Sequence, residues 1–211
     1  MRIFTRWTTL ALCLGLVIAG TADAQSADAI AQRLNAKYAS LTALRADFTQ
    51  TMTSEHSDIR DQKTGSLLLR GDDYRLETGD DIYARLGSDV WRYSRSENQV
   101  VVSDYMDDEA TFSVNDLFFR YEELFTVTGV EAESYRGERH FRMTLRPRVE
   151  ESLFNEVTLW MRDRDDIVTR MRMLDLNGTI MDFQLEDVEL NPRLSENAFA
   201  PPAGAEVINL R

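Results

Sequence analysis

Short segments of alternating apolar and polar side chains recur along this chain, each closed by a turn signal. A chain punctuated in this way has few folds open to it. Residues 44–53 set the pattern: Leu44, Ala46, Phe48 and Met52 lie on one side, Arg45, Asp47, Thr49 and Thr51 on the other. Further strands are expected at 65–70, 74–78, 82–86, 90–94 and 99–105, and again at 138–146, 155–163, 166–174 and 179–190. Gly71-Asp72-Asp73, Gly79-Asp80-Asp81, Gly87-Ser88-Asp89 and Ser96-Glu97-Asn98 separate the first group. Asn177-Gly178 is a two-residue hairpin signal between the last two. Such close spacing favours antiparallel pairing, and a large sheet twists and coils.

Two segments break the pattern. Ile30, Leu34, Tyr38 and Leu41 recur at helical intervals, which predicts an amphipathic helix over 27–39. Leu117, Phe118, Tyr121, Leu124 and Phe125 do the same within 113–126, where Ser113 or Asn115 could cap a helix. The expected fold is therefore mainly β (α+β), a single curled antiparallel sheet of about ten strands with two helices. So few helices leave much of one face to be covered, which argues for a cavity. Alternation pairs Tyr74 with Leu76, Trp91 with Tyr93, Phe141 with Met143, Leu159 with Met161, Met171 with Met173, and Met181 with Phe183 on shared faces. The tail around Pro201-Pro202 reads as extended.

The N-terminus bounds where such a domain works. Arg2 and Arg6 precede an apolar run over Leu10 to Ala19, too short to span a bilayer comfortably, and Ala22-Asp23-Ala24 is a small-x-small cleavage site. Residues 1–24 are read as a signal peptide, and 25–211 as one exported, soluble domain beginning at Gln25. Cys13, the sole cysteine, leaves with the signal, and Leu12 before it is a poor match to a lipidation site. The mature chain then has no disulfide, thiol nucleophile or thiolate metal site. Removing Arg2, Arg6 and Asp23 from 24 basic and 36 acidic residues leaves a net charge of −13, which disfavours nucleic acid and anionic membranes.

No catalytic constellation is legible. His56 and His140 stand apart from any nucleophile or metal set, and read as surface histidines. The chain shows neither a Gly-rich phosphate loop nor a Gly-x-Ser-x-Gly turn. The expectation is a protein that is not an enzyme and carries no cofactor or metal. Met143, Met161, Met171, Met173 and Met181 admit two readings: an ordinary core, or an adaptable surface for variable acyl chains.

Four pieces of sequence carry a resemblance. They are the helix followed by Leu44-Arg-Ala-Asp-Phe48-Thr49-Gln50; Gly65-Ser-Leu67-Leu-Leu69-Arg70 followed by Tyr74-Arg-Leu76; Gly87-Ser-Asp-Val90-Trp91-Arg-Tyr93; and Phe199-Ala-Pro201-Pro202-Ala-Gly204. In order and spacing the chain resembles the LolA-like outer-membrane lipoprotein carriers over nearly all of its mature length. The resemblance implies an incomplete β-barrel with a helical lid over a hydrophobic cavity. It also implies the periplasm as location, acylated lipoproteins as cargo, an inner-membrane ATP-driven lipoprotein-releasing complex as donor and an outer-membrane receptor as acceptor. A monomer is expected.

The implied acyl-binding residues are Phe48, Leu67, Leu69, Tyr74, Leu76, Trp91, Tyr93, Leu117, Phe118, Tyr121, Phe141, Met143, Leu159, Met161, Met171, Met173, Met181 and Phe183. Arg70 matches the family's lid-latching arginine with one residue skipped, Gly71 stands where that family has proline, and Leu76 where tryptophan is common. The alternatives are a sensor or regulatory protein on the same half-barrel, or a shuttle for another lipid.

Overall fold

Ser26 starts the first helix: its side chain accepts the Ala29 N–H at 3.2 Å and caps α1 (Ala27–Ala39). Asp28 in the first turn and Lys37 in the last complement the helix dipole. The buried stripe is Ile30, Ala31, Leu34 and Tyr38, the periodicity visible in the sequence. The computed structural model describes residues 26–54, 57–105, 118, 120–149 and 152–211. The expected signal peptide, Cys13, His56, Leu117 and the first part of the helix expected over 113–126 lie outside these residues.

Among the described residues the strands are β1 (Leu44–Ser54), β2 (Ser57–Arg70), β3 (Asp73–Thr78), β4 (Asp81–Leu86), β5 (Asp89–Ser94) and β6 (Gln99–Asp104). After a helical turn, α2 (Tyr121–Leu124), come β7 (Phe125–Tyr135), β8 (Glu138–Pro147), β9 (Phe154–Arg162), β10 (Ile167–Asp175), β11 (Thr179–Leu190) and β12 (Glu206–Asn209). They form one twelve-stranded sheet in the order β12-β6-β5-β4-β3-β2-β1-β11-β10-β9-β8-β7. The first and last strands of that order are free edges, so the sheet is curled and open. All pairings are antiparallel except β12 with β6.

The mainly β architecture agrees with the sequence reading, with three differences. β2 begins at Ser57, not Gly65, because the sequence of its first half, with Ile59 the one apolar residue, carries no alternation signal. Of the helix expected over 113–126, the described part is Phe118 and the turn Tyr121–Leu124, which starts after the non-helical Arg120, and Phe125 opens β7. A bulge between Val127 and Gly129 shifts the parity of β7, so its apolar residues fall at 125, 127, 130 and 132 and do not read as one alternating run. The tail, beyond its extended Pro201-Pro202 stretch, returns to the sheet edge as β12, pairing Glu206 with Gln99 and Asn209 with Val102.

Gly65 marks a close approach within the sheet. It sits opposite Phe48, and a Cβ there would fall on the Glu77 carbonyl oxygen and 2.8 Å from the Phe48 ring.

The sheet buries different faces at its two ends. Under α1 lies a large core built on β1, β2 and β7 to β11. A smaller cluster of Ile82, Ala84, Trp91, Val100 and Val102 belongs to β4, β5 and β6. Directly opposed residues of paired strands share a face. Leu67 opposes Leu76 and Leu76 opposes Tyr83, whereas Arg75 opposes Ala84 and Ala84 opposes Trp91. The two clusters therefore lie on opposite faces. We call the face under α1 the inner face.

Candidate functional site

The inner face gathers most of the expected acyl-binding residues. From one half of the sheet come Phe48, Leu67 and Leu69, which are buried, and Tyr74 and Leu76, which are partly so. From the other half come Phe141, Met143, Leu159, Met161, Met171, Met173 and Phe183, with Met181 at the margin. The strand register joins them: Phe141 opposes Met161, Met143 opposes Leu159, Leu159 opposes Met171, and Met171 opposes Phe183. The Phe48 and Phe183 rings meet across β1 and β11, with centroids 6.0 Å apart. Leu145, Val157, Val168 and Leu185 extend the face; alternation along their strands could have added all but Val168, which the bulge between Val168 and Arg170 puts out of step.

Protein covers this face. Met143, Leu159 and Met161 are fully excluded from solvent beneath α1, α2 and their flanks. Phe118 and Tyr121 belong to the cover and are buried in the same cluster. Phe118 stacks on Tyr38 at 5.7 Å, and the Tyr121 hydroxyl donates to the Ala31 carbonyl at 3.3 Å, so the α2 region packs onto α1. The seam between them opens to solvent as a cleft of about 210 Å³ lined by Asn35, Tyr38, Phe118 and Arg120.

Two polar anchors tie α1 to the sheet, both at the start of β10. Arg33 Nη2 donates to the Asp163 carbonyl and carboxylate, each at 2.9 Å, and to Asp166 Oδ1 at 2.5 Å. Its guanidinium also lies 5.3 Å from the centre of the Phe141 ring. Tyr38 Oη accepts the Val168 backbone N–H at 3.1 Å, beside the bulge between Val168 and Arg170. Burial pushes the Tyr38 phenol well above its ordinary pKa, and burial aided by Glu122 does the same to Tyr121. Both stay neutral. Neither anchor was legible: helical periodicity places Tyr38 on the apolar stripe, but nothing in the sequence brings α1 to the 163–168 turn.

Three expectations are corrected by the structure. Trp91 and Tyr93 do share a face, but it is the outer one. The Trp91 indole N–H donates to the Phe199 carbonyl at 3.1 Å, and the C-terminal segment covers this cluster. Arg70 likewise sits on the outer face, one residue past inward-facing Leu69. It pairs with Asp73 at 2.8 Å and stacks on Phe199 at 4.5 Å. It therefore points away from Phe118 and Tyr121 and does not latch them. His140, expected at the surface, is 1% exposed. Its Nδ1 donates to the Glu138 carbonyl at 3.0 Å and its Nε2 shares a hydrogen bond with Thr169 Oγ1 at 2.9 Å, which satisfies both ring nitrogens.

Among the described residues no helix is long and apolar enough to cross a membrane, and no cluster of His, Cys, Asp and Glu could hold a metal ion.

Similarity to known proteins follows the same architecture. An uncharacterized conserved protein from Thermus thermophilus superposes with a TM-score of 0.58 at 17% identity, covering 88% of this chain and 99% of that one. MucB superposes with a TM-score of 0.50 at 14% identity, covering 87% of this chain and 66% of that one. At these identities the likeness is one of fold. No protein of curated function matches the sequence. The family described as outer membrane lipoprotein carrier protein LolA matches residues 39–202, which span every described strand but β12. The chain belongs to the LolA family of outer membrane lipoprotein carrier proteins.

Proposed function

We propose that this protein is an exported periplasmic carrier that takes the acyl chains of lipoproteins onto the inner face of its sheet. The signal segment over 1–24 supports export, with Gln25 as the first mature residue. Cargo would arrive from an inner-membrane ATP-driven releasing complex and leave to an outer-membrane receptor or acceptor.

One observation carries the reading. A continuous apolar face, rich in methionine and aromatic side chains, is covered, among the described residues, by α1, Phe118 and the turn α2 of the same chain. Acyl chains and the cover would bury the same surface, so one displaces the other. Each methylene transferred from water is worth about 0.8 kcal/mol, and two or three long acyl chains would be held too tightly to release without opposition. Displacing Ile30, Leu34, Tyr38, Phe118 and Tyr121 supplies that opposition, because their own burial is lost when cargo enters. The net affinity is then small enough for hand-off. Flexible methionines suit a face that alternately meets side chains and lipid.

The test is uptake of a purified lipoprotein in acylated and unacylated forms. The acylated form should bind in a one-to-one complex and the unacylated form should not. Equal binding of both would refute the reading. N-terminal sequencing of protein from the periplasmic fraction tests export and cleavage before Gln25.

A further inference from the structure

Beyond β3 the inner face changes character. Tyr74 and Leu76 pack against the core, and their partners across β4 are Arg85 and Tyr83. Arg85 is thus an immediate neighbour of the apolar face, on the same side of the sheet. Tyr83, two residues before it on the same face, is 38% exposed.

The Arg85 guanidinium is fixed in place. Its Nε donates to the Gly87 carbonyl at 2.9 Å, and its carbon lies 3.6 Å from the centre of the Tyr105 ring. Gly87 is itself held, because its N–H donates to Asp73 Oδ1 at 2.9 Å. The neighbouring arginines are neutralised by carboxylates: Arg75 by Glu77, Arg92 by Asp81, and Arg95 by Glu77. Arg85 has no carboxylate within ion-pair distance among the described residues, in a chain with 36 acidic and 24 basic residues. Its two terminal nitrogens remain to form a fork that fits the oxygens of a phosphate.

A cation that is held still, backed by an aromatic ring and without a carboxylate partner among the described residues, beside an acyl-binding face, fits an anion carried on an acyl chain. We propose that Arg85, supported by Tyr105, binds the phosphate of an anionic amphiphile whose chain lies over Tyr74 and Leu76. The site rests on the carrier reading and narrows its ligands, making phosphate-headed lipids cargo or competitors of acylated protein. Free phosphate shares the head-group chemistry but lacks the apolar part.

Calorimetry on the full chain separates these cases with three probes: dodecyl phosphate and dodecyl maltoside, both as monomers, and inorganic phosphate. The native protein should bind dodecyl phosphate about tenfold more tightly than dodecyl maltoside, the value of a charge-assisted hydrogen-bonded pair. Arg85→Gln should bring the two within about twofold, and Arg85→Lys should keep part of the preference, since it retains charge without the fork. Inorganic phosphate should bind at least about a hundredfold more weakly than dodecyl phosphate, because it buries no chain. Should Arg85→Gln not fold, salt decides: the preference of the native protein must shrink as ionic strength rises from about 0.02 M to about 0.5 M. Equal binding of the two amphiphiles by the native protein, or a preference untouched by the substitution or by salt, overturns the Arg85 site and leaves the carrier reading standing. Inorganic phosphate binding as tightly as dodecyl phosphate also overturns it. Failure of both amphiphiles to bind removes the carrier reading and this site together.

Discussion

Arg33 on α1 and Asp166 in the β9–β10 turn lie 2.5 Å apart although 133 positions separate them in sequence. With Asp163 they form the ionic anchor of the cover. Both partners are about one-quarter exposed, which keeps the pair within reach of water and limits its worth to about 1 kcal/mol. That scale suits a catch that must open.

Arg33→Gln should therefore lower stability by about 1 kcal/mol and favour the open cover. If closure competes with cargo, apparent affinity for an acyl probe rises by about fivefold. Arg70→Leu should leave that affinity unchanged, because Arg70 stacks on Phe199 across the sheet. Probe titrations of the two variants side by side check both. The opposite ranking would return the latch to Arg70.

Tyr38→Phe keeps the ring against Phe118 but removes the oxygen that accepts from Val168. The Val168 N–H is then left buried without that acceptor, a cost of about 1–3 kcal/mol. Denaturant unfolding should show the loss, and hydrogen exchange should show it concentrated at the start of β10.

Gly65→Ala should be among the most damaging single-methyl additions. The new Cβ meets the Glu77 carbonyl oxygen, which the strand ladder holds in place, and the Phe48 ring. A loss of about 2 kcal/mol or more is expected from overpacking. A melting temperature equal to that of the native protein would contradict the register of β1, β2 and β3.

Stability should fall on acidification below about pH 4. Burial raises the pKa of Asp165, but its bonds to Arg162 and the charges of Arg162 and Arg164 outweigh that and hold it below the usual value. Asp175 is held low in the same sense: burial opposes, and the backbone amides of Thr179 and Asn177 prevail. A carboxyl with a lower pKa in the folded state stabilises fully above its unfolded value of about 4, and loses that contribution as pH falls through the folded value. Asp175→Asn keeps an acceptor oxygen in the turn and removes the charge, so the acid slope of the melting temperature should flatten. An unchanged slope would assign acid sensitivity elsewhere.

Much of this is legible in the sequence. Alternation and turn chemistry identify most of the strands, and helical periodicity finds α1. The parity between strands is harder. Alternation places Trp91 and Tyr93 together correctly but leads to the wrong face, because alternation within a strand does not say which side is covered. The signal lies in the turns. Read as two-residue loops, Gly71-Asp72, Gly79-Asp80 and Gly87-Ser88 fix the pairs Arg70–Asp73, Thr78–Asp81 and Leu86–Asp89, and so place Trp91 opposite Ala84 and Arg75. Other features have no local signal. β12 joins by a parallel pairing after a long connection, and the contact of Arg33 with the 163–166 turn depends on where a whole helix docks.

The central claim is that the face under α1 receives the acyl chains. Tyr74 and Tyr93 test it most directly: both are partly buried tyrosines, and the register places them on opposite faces of the sheet. A photo-crosslinking side chain at Tyr74 should capture acylated lipoprotein in cells, and the same group at Tyr93 should not. Capture from Tyr93 with none from Tyr74 would place the site on the outer face and contradict the account.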